Sequence, residues 1–163
     1  TTKLCLFIRL RFYYVLCLKL LICDPLKIGQ STPFSRPDNT MLTVYYDGKC
    51  GLCRREIEYY KRVAPADRFL WCDIAHDPAS LADIDISQAD ALRRLHARDS
   101  AGTMYVGVAA FIAIWQRLSY WRYLALIIKL PLLQPLAAFL YDRFADYRFS
   151  RLTHCQIASR TAK

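Results

Sequence analysis

The chain has 163 residues, 55% of them hydrophobic and 23% charged, with five glycines, seven prolines and a formal net charge of +9. That balance describes one ordinary globular domain, able to bury about two-thirds of the surface its unfolded chain exposes, and it excludes disorder, collagen and knottin-like scaffolds. The 23 Lys and Arg are spread along the chain instead of lying in one stripe among stacking aromatics, which argues against nucleic-acid binding.

Residues 1–40 carry six cationic and two acidic side chains. Arg9, Arg11 and Lys19 interrupt the apolar run 4–23, and at membrane depth each would cost about 2.5–3.5 kcal/mol, so the run makes a poor transmembrane span. No small-residue cleavage site of a signal peptide follows it. The stretch 29–40 is linker-like, and residues 1–40 are expected to lie outside the folded domain. That domain is expected over 41–150, with 151–163 as a C-terminal tail.

Residues 42–46, LTVYY, are β-branched and aromatic and read as a buried strand ending at Asp47-Gly48. From Cys50, the positions Cys53, Ile57, Tyr60 and Ala64 recur at helical spacing opposite Arg54, Arg55, Glu58, Lys61 and Arg62, until Pro65 stops the pattern. A second strand over 69–74 follows, and the crossover is long enough to make it parallel to the first. Short helices are expected around 78–82 and 87–92. Residues 94–98 and 103–106 flank the turn-forming Asp99-Ser100-Ala101-Gly102 and predict a hairpin. A buried helix over 108–115 comes next, then two apolar helices broken by Pro131 and Pro135 and ending near Tyr147. The order β-α-β-α-β-β-α with an additional C-terminal helical segment predicts an α/β, thioredoxin-like fold.

Asp47-Gly48-Lys49-Cys50-Gly51-Leu52-Cys53 sits where the first strand hands over to the first helix. A thiolate there faces unpaired N–H groups and the positive end of the helix dipole, which lowers its pKa. Cys50 is therefore the expected nucleophile. Cys53, three residues on, shares its helical face and falls on the apolar stripe, so it is the expected shielded resolving thiol. Lys49, Arg54 and Arg55 add positive charge, while Asp47 tunes the pair as cap or proton acceptor. The cysteine count is seven, an odd number, and Cys5, Cys17, Cys23 and Cys155 lack close neighbours; this fits a reducing compartment, and a cytoplasmic location is expected.

A rival reading takes Cys50, Cys53, Cys72 and His76 as a four-ligand zinc set in an interaction module without turnover. Against it, Cys72 lies inside a strand pattern, where a small buried hydrophobe is the simpler role. His154-Cys155 reads as an incidental pair in the tail. Trp115, Tyr120, Trp121 and Tyr123, interleaved with Arg117 and Arg122, are expected to pack onto the sheet more readily than to form a membrane-surface patch. Tyr141, Arg143 and Arg148 read as part of a solvated helix face more readily than as an anion clasp.

Residues 42–150 resemble the DCC family of thiol-disulfide oxidoreductases, named for its D-x-x-C-x-x-C signature, here Asp47, Cys50 and Cys53. Gly102 and Gly107-Val108-Ala109-Ala110 are similar to its G-x-x-x-x-G-x-x-A stretch, and Tyr141, Ala145 and Arg148 to its late Y-x-x-x-A-x-x-R helix. The resemblance implies a thioredoxin-like fold and dithiol–disulfide exchange, with Asp47, Cys50 and Cys53 as the functional residues. True thioredoxins place a cis-proline opposite the dithiol, whereas this chain has no proline between Pro78 and Pro131. The dithiol itself is the expected redox group, with no added cofactor or metal. The expected partner is a protein or small-molecule thiol or disulfide, acting on a monomer, with peripheral membrane contact the less favoured alternative.

Overall fold

The structure is a computed structural model and describes residues 41–161. The expectations for residues 1–40 lie outside the described residues. β1 (Leu42–Tyr46), α1 (Gly51–Val63), β2 (Phe69–Asp73), a 3-10 turn (Pro78–Leu81), α2 (Gln88–Arg93), β3 (His96–Asp99) and β4 (Met104–Val106) come first. They are followed by α3 (Val108–Arg117), α4 (Arg122–Ile128), α5 (Leu133–Arg151) and α6 (Thr153–Thr161). Among the described residues this is a mixed α/β fold with one four-stranded sheet and six helices, compatible with a thioredoxin-like architecture.

The sheet order is β2-β1-β3-β4. β1 pairs in parallel with β2 and antiparallel with β3, which pairs antiparallel with β4. Alternation along β1 sends its side chains to two cores. Leu42, Val44 and Tyr46 join Ile57 and Tyr60 of α1 and Ala110, Ala113 and Ile114 of α3. Tyr45 points the other way, into a cluster with Ile74, Leu81, Ala91, Leu92 and Cys155. β1 is thus central, and the loop after it emerges between the two layers. The β3–β4 turn closes as its composition predicts: the Asp99 carboxylate accepts the N–H groups of Ala101 and Thr103, and Gly102 takes a φ of +88°, a conformation glycine tolerates best.

Two expectations are corrected. The chain after residue 150 is no loose tail: α5 runs on to Arg151 and α6 follows, docked through Cys155, which is fully buried. The aromatic run around Trp115 divides instead of acting as one unit. Trp115 and Trp121 stack at 5.8 Å against the first core and Arg117 is buried, whereas Tyr120 and Tyr123 are exposed.

Gly48 packs against Asp73, whose Oδ1 accepts the N–H groups of Gly48 and Ala75 at 3.1 Å each. A Cβ at Gly48 would occupy the space of that carboxylate. Gly48→Ala is expected to displace Asp73 from these bonds and cost about 1–3 kcal/mol. An unchanged urea midpoint would contradict the close approach.

Candidate active site

Asp47 follows β1 directly, and its carboxylate turns back on the chain. Oδ1 accepts the N–H groups of Lys49 and Cys50, each at 3.1 Å, an Asx turn that fixes the approach to α1. Cys50 is the residue that caps α1, in extended conformation, and its sulfur accepts the Cys53 N–H at 3.5 Å where a serine or aspartate oxygen would ordinarily sit. The Cys53 thiol donates to the same sulfur at 2.9 Å. Neither cysteine is in a disulfide.

This geometry splits the two sulfurs chemically. The bond from the Cys53 thiol, opposed by burial and reinforced by the Cys53 amide and Arg148, holds the Cys50 pKa down to about 5. The same bond, together with burial, pushes Cys53 far above the ordinary thiol range. Cys50 is thus the sulfur that favours the anion and Cys53 the one that favours the proton, but their exposure is not as expected. Cys50 is only 3% exposed, and Cys53 is the half-buried one. The cause is the inward turn of the Cys50 sulfur over the first helical turn to accept the two Cys53 donors.

The cation at the site is not one of those expected. Arg54 pairs with Glu58 on the surface at 3.7 Å. Arg148, on α5, reaches in instead, with Nη1 donating to Asp47 Oδ2 at 3.1 Å and to Cys53 Sγ at 3.3 Å. Its Nη2 donates to the carbonyls of Leu92 and Arg93. The α5 face expected to be solvated is a clamp: Asp142 pairs with Arg94 at 2.8 Å, Asp146 with Arg93 at 2.7 Å, and the Tyr141 hydroxyl accepts the Leu95 N–H at 2.9 Å.

The pair read as incidental also belongs here. His154 Nε2 lies 2.9 and 3.0 Å from the two Asp47 oxygens, and Cys155 Sγ lies 3.7 Å from Oδ2. Burial and the negative charge of Asp47 push the Cys155 thiol up to about 12. Nothing local in the sequence points to this pair, because only the helix after residue 152 carries it back to β1. Asp47, His154 and Cys155 offer three ligand atoms within 4.8 Å of one another, but the Arg148 guanidinium already stands against the carboxylate where a cation would bind. The proposed zinc set fails on geometry. Among the described residues, Cys72 and His76 do not join Cys50 and Cys53 in a metal-holding group, and His76 Nδ1 is bonded to Asp73 Oδ2 at 2.7 Å.

Beside Cys53 lies a cavity of about 50 Å³, lined by Asp47, Glu56, Leu95, Phe111, Tyr141 and Arg148 among others. Glu56 was not singled out from the sequence. Its carboxyl is pushed up by burial while accepting from the Tyr60 hydroxyl at 2.7 Å, and Trp115 Nε1 donates to that hydroxyl at 2.8 Å. Leu95 occupies the segment before β3. Both its backbone groups are used, N–H by Tyr141 and C=O by Gly107 N–H at 2.8 Å.

A dithiol at the N-terminus of the helix that follows a central strand, its two sulfurs driven toward opposite protonation, is a site that could carry thiol chemistry. The family model described as DCC1-like thiol-disulfide oxidoreductase matches residues 44–153. The chain belongs to that family, which supports a general thiol-disulfide redox role. It is also similar to an Arabidopsis thaliana protein described as uncharacterized and chloroplastic, with 29% identity over 116 residues, covering 69% of this chain and 53% of that protein. The chain therefore spans about half the length of the curated relative it matches. No solved structure matches the chain.

Proposed function

We propose that the protein is a thioredoxin-like thiol-disulfide oxidoreductase that works by dithiol–disulfide exchange through Asp47, Cys50 and Cys53. The observation that carries this reading is the geometry of the two sulfurs: Cys50 caps α1 and accepts the Cys53 thiol at 2.9 Å, an arrangement that lowers the pKa of the first and raises that of the second. The Cys50 thiolate attacks one sulfur of a substrate disulfide, forming a mixed disulfide and expelling the other sulfur as a thiolate. Cys50 then no longer accepts the Cys53 hydrogen bond, so the main cause of the high Cys53 pKa is gone. With Arg148 3.3 Å away favouring the anion, Cys53 gives its proton to the thiolate already released, attacks the Cys50 sulfur and expels the second substrate thiolate, which is protonated from water. The protein dithiol is oxidised to a disulfide by two electrons and the substrate is reduced to two thiols, so no separate cofactor is required. Gly51 is exposed and has open space where a side chain would begin, which leaves room for an incoming disulfide.

The partner is a thiol or disulfide of a protein or small molecule. Beside the dithiol the Leu95 N–H is taken by the Tyr141 hydroxyl and its C=O already accepts from Gly107 N–H, so a substrate peptide finds no free donor there. Cys53→Ser is expected to keep fast alkylation at Cys50 and to accumulate mixed disulfides, whereas Cys50→Ser traps little. Mass spectrometry of the trapped adducts reads the result directly. Equal trapping by both variants, or by neither, would remove the reading.

A further inference from the structure

Between Ser100 and Tyr141 the chain has no acidic residue, and its only cations are Arg117, Arg122 and Lys129. Arg117 is buried; Arg122 and Lys129 are exposed. The same segment leaves an unusual amount of apolar surface in water. α4 is seated by the fully buried Ala125 and leaves Tyr123, Leu126 and Leu130 exposed around the corner into α5, where Leu132 is 85% exposed, followed by Leu136 and Phe139. Ile127, Leu133 and Leu140 are exposed as well, so the apolar surface wraps round the corner between the two helices. Contiguous apolar surface of this kind marks an interaction site.

The chemistry of the face selects the partner. Protein interfaces carry about one hydrogen bond per 100–200 Å². From Leu124 to Leu140 only Lys129 and Gln134 have a side chain able to make one. At the start of α4 the exposed Arg122 lies over the exposed Tyr123 ring at 5.0 Å beside Tyr120, and at its end the exposed Lys129 stands between Ile128 and Leu130. An apolar face carrying exposed basic and aromatic residues is what an interfacial helix presents to anionic headgroups. Among the described residues no single helix is long and apolar enough to cross a membrane, and α4 and α5 meet at 98°. Together the two helices are long and apolar enough for a broken span, but the 98° bend and the exposed Arg122 and Lys129 in that stretch favour lying on a surface.

We propose that the α4–α5 corner docks on the surface of an anionic lipid bilayer, with Leu132 and Leu136 at the acyl boundary and Arg122 and Lys129 among the headgroups. α5 continues from this corner to Arg148, about 24 Å further along at 1.5 Å per residue, so a docked protein holds its dithiol clear of the lipid. The docking stands or falls independently of the exchange chemistry.

The test is co-sedimentation of the full reduced chain with phosphatidylcholine vesicles, with and without phosphatidylserine. Because the net charge of +9 draws the protein to any anionic surface, the deciding variant leaves charge unchanged: Leu132→Ser with Leu136→Ser and Phe139→Ser. Binding to the phosphatidylserine vesicles is expected to fall about ten-fold or more in this variant. Arg122→Gln and Lys129→Gln are expected to weaken it about five-fold each on those vesicles only. The single Leu132→Ser, at a site too exposed to disturb folding, should lose several-fold by itself. Undiminished binding of the serine variants, no binding of the native chain to either vesicle, or a dimer in solution that buries this face would overturn the proposal. Cys50 alkylation in the serine variants should match the native rate, which keeps a failure here distinct from a failure of the exchange mechanism.

Discussion

Replacing Cys53 with alanine is expected to move the titration midpoint of Cys50 upward by a pH unit or more, because it deletes the donors' largest contribution, the S–H bond across 2.9 Å. The amide of residue 53 and Arg148 remain, so the midpoint should stop short of an ordinary thiol. Thiolate absorbance and the pH profile of alkylation both read this midpoint, whereas a single rate does not, since a thiolate of higher pKa is also more nucleophilic. The same asymmetry sets the stability of the reduced protein. Cys50 is depressed from an ordinary value of 9.0 to about 5, so between those limits the native state binds fewer protons than the unfolded chain, and stability rises with pH. It is lost as pH falls through about 5. Above 9 the raised Cys53 reverses the sign, since the native state keeps a proton that the unfolded chain gives up. Urea midpoints of the reduced protein should therefore climb from pH 5 to 9 and then decline, while the oxidised protein lacks this component. A flat profile in the reduced state would show that Cys50 is not the depressed thiol.

The strand 42–46, the handover at Asp47 and the helix after Cys50 were legible because each rests on local chemistry: β-branched residues, an Asx turn, and apolar spacing that Pro65 ends. The hairpin was legible for the same reason, through Asp99 and Gly102. What local pattern could not supply is the far side of the site. Arg148 is separated from Cys53 by 95 residues, and His154 from Asp47 by 107, so their meeting depends on how α5 and α6 pack back onto β1. The i, i+4, i+7 spacing of Tyr141, Ala145 and Arg148 did carry a signal, since one helical face holding a tyrosine, a small residue and an arginine suits a close helix contact with polar groups reaching inward. Reading the charges along α5 as a solvated face missed it, because Asp142 and Asp146 looked like repelling neighbours until Arg94 and Arg93 were placed opposite them. Cys155 was misjudged for a related reason: its isolation in sequence says nothing about a helix that returns to the second core.

Arg148→Met is expected to produce the largest loss of stability of any single change near the site, about 3–5 kcal/mol, as for a buried pair stripped of one partner. Asp47 is 3% exposed and would lose its one cationic guanidinium partner, keeping His154, the Cys155 thiol and two backbone amides, while the carbonyls of Leu92 and Arg93 would lose the Arg148 donor. Arg148→Lys retains the charge but not the fork that reaches a carboxylate, a sulfur and two carbonyls at once, so it should fall between methionine and the native residue. Stability alone would not separate a brace from a residue that positions the dithiol. The separating measurement is the Cys50 midpoint in the folded lysine variant: loss of the guanidinium bonds should raise it, because Arg148 is among the groups that hold that thiol down. A double cycle with Asp47→Asn completes the argument. If the carboxylate and guanidinium act as one unit, the second substitution should add little to the first, with a coupling of about 1–3 kcal/mol. Additive losses and an unmoved Cys50 midpoint would mean that Arg148 only braces α5 against the domain and takes no part in setting the dithiol.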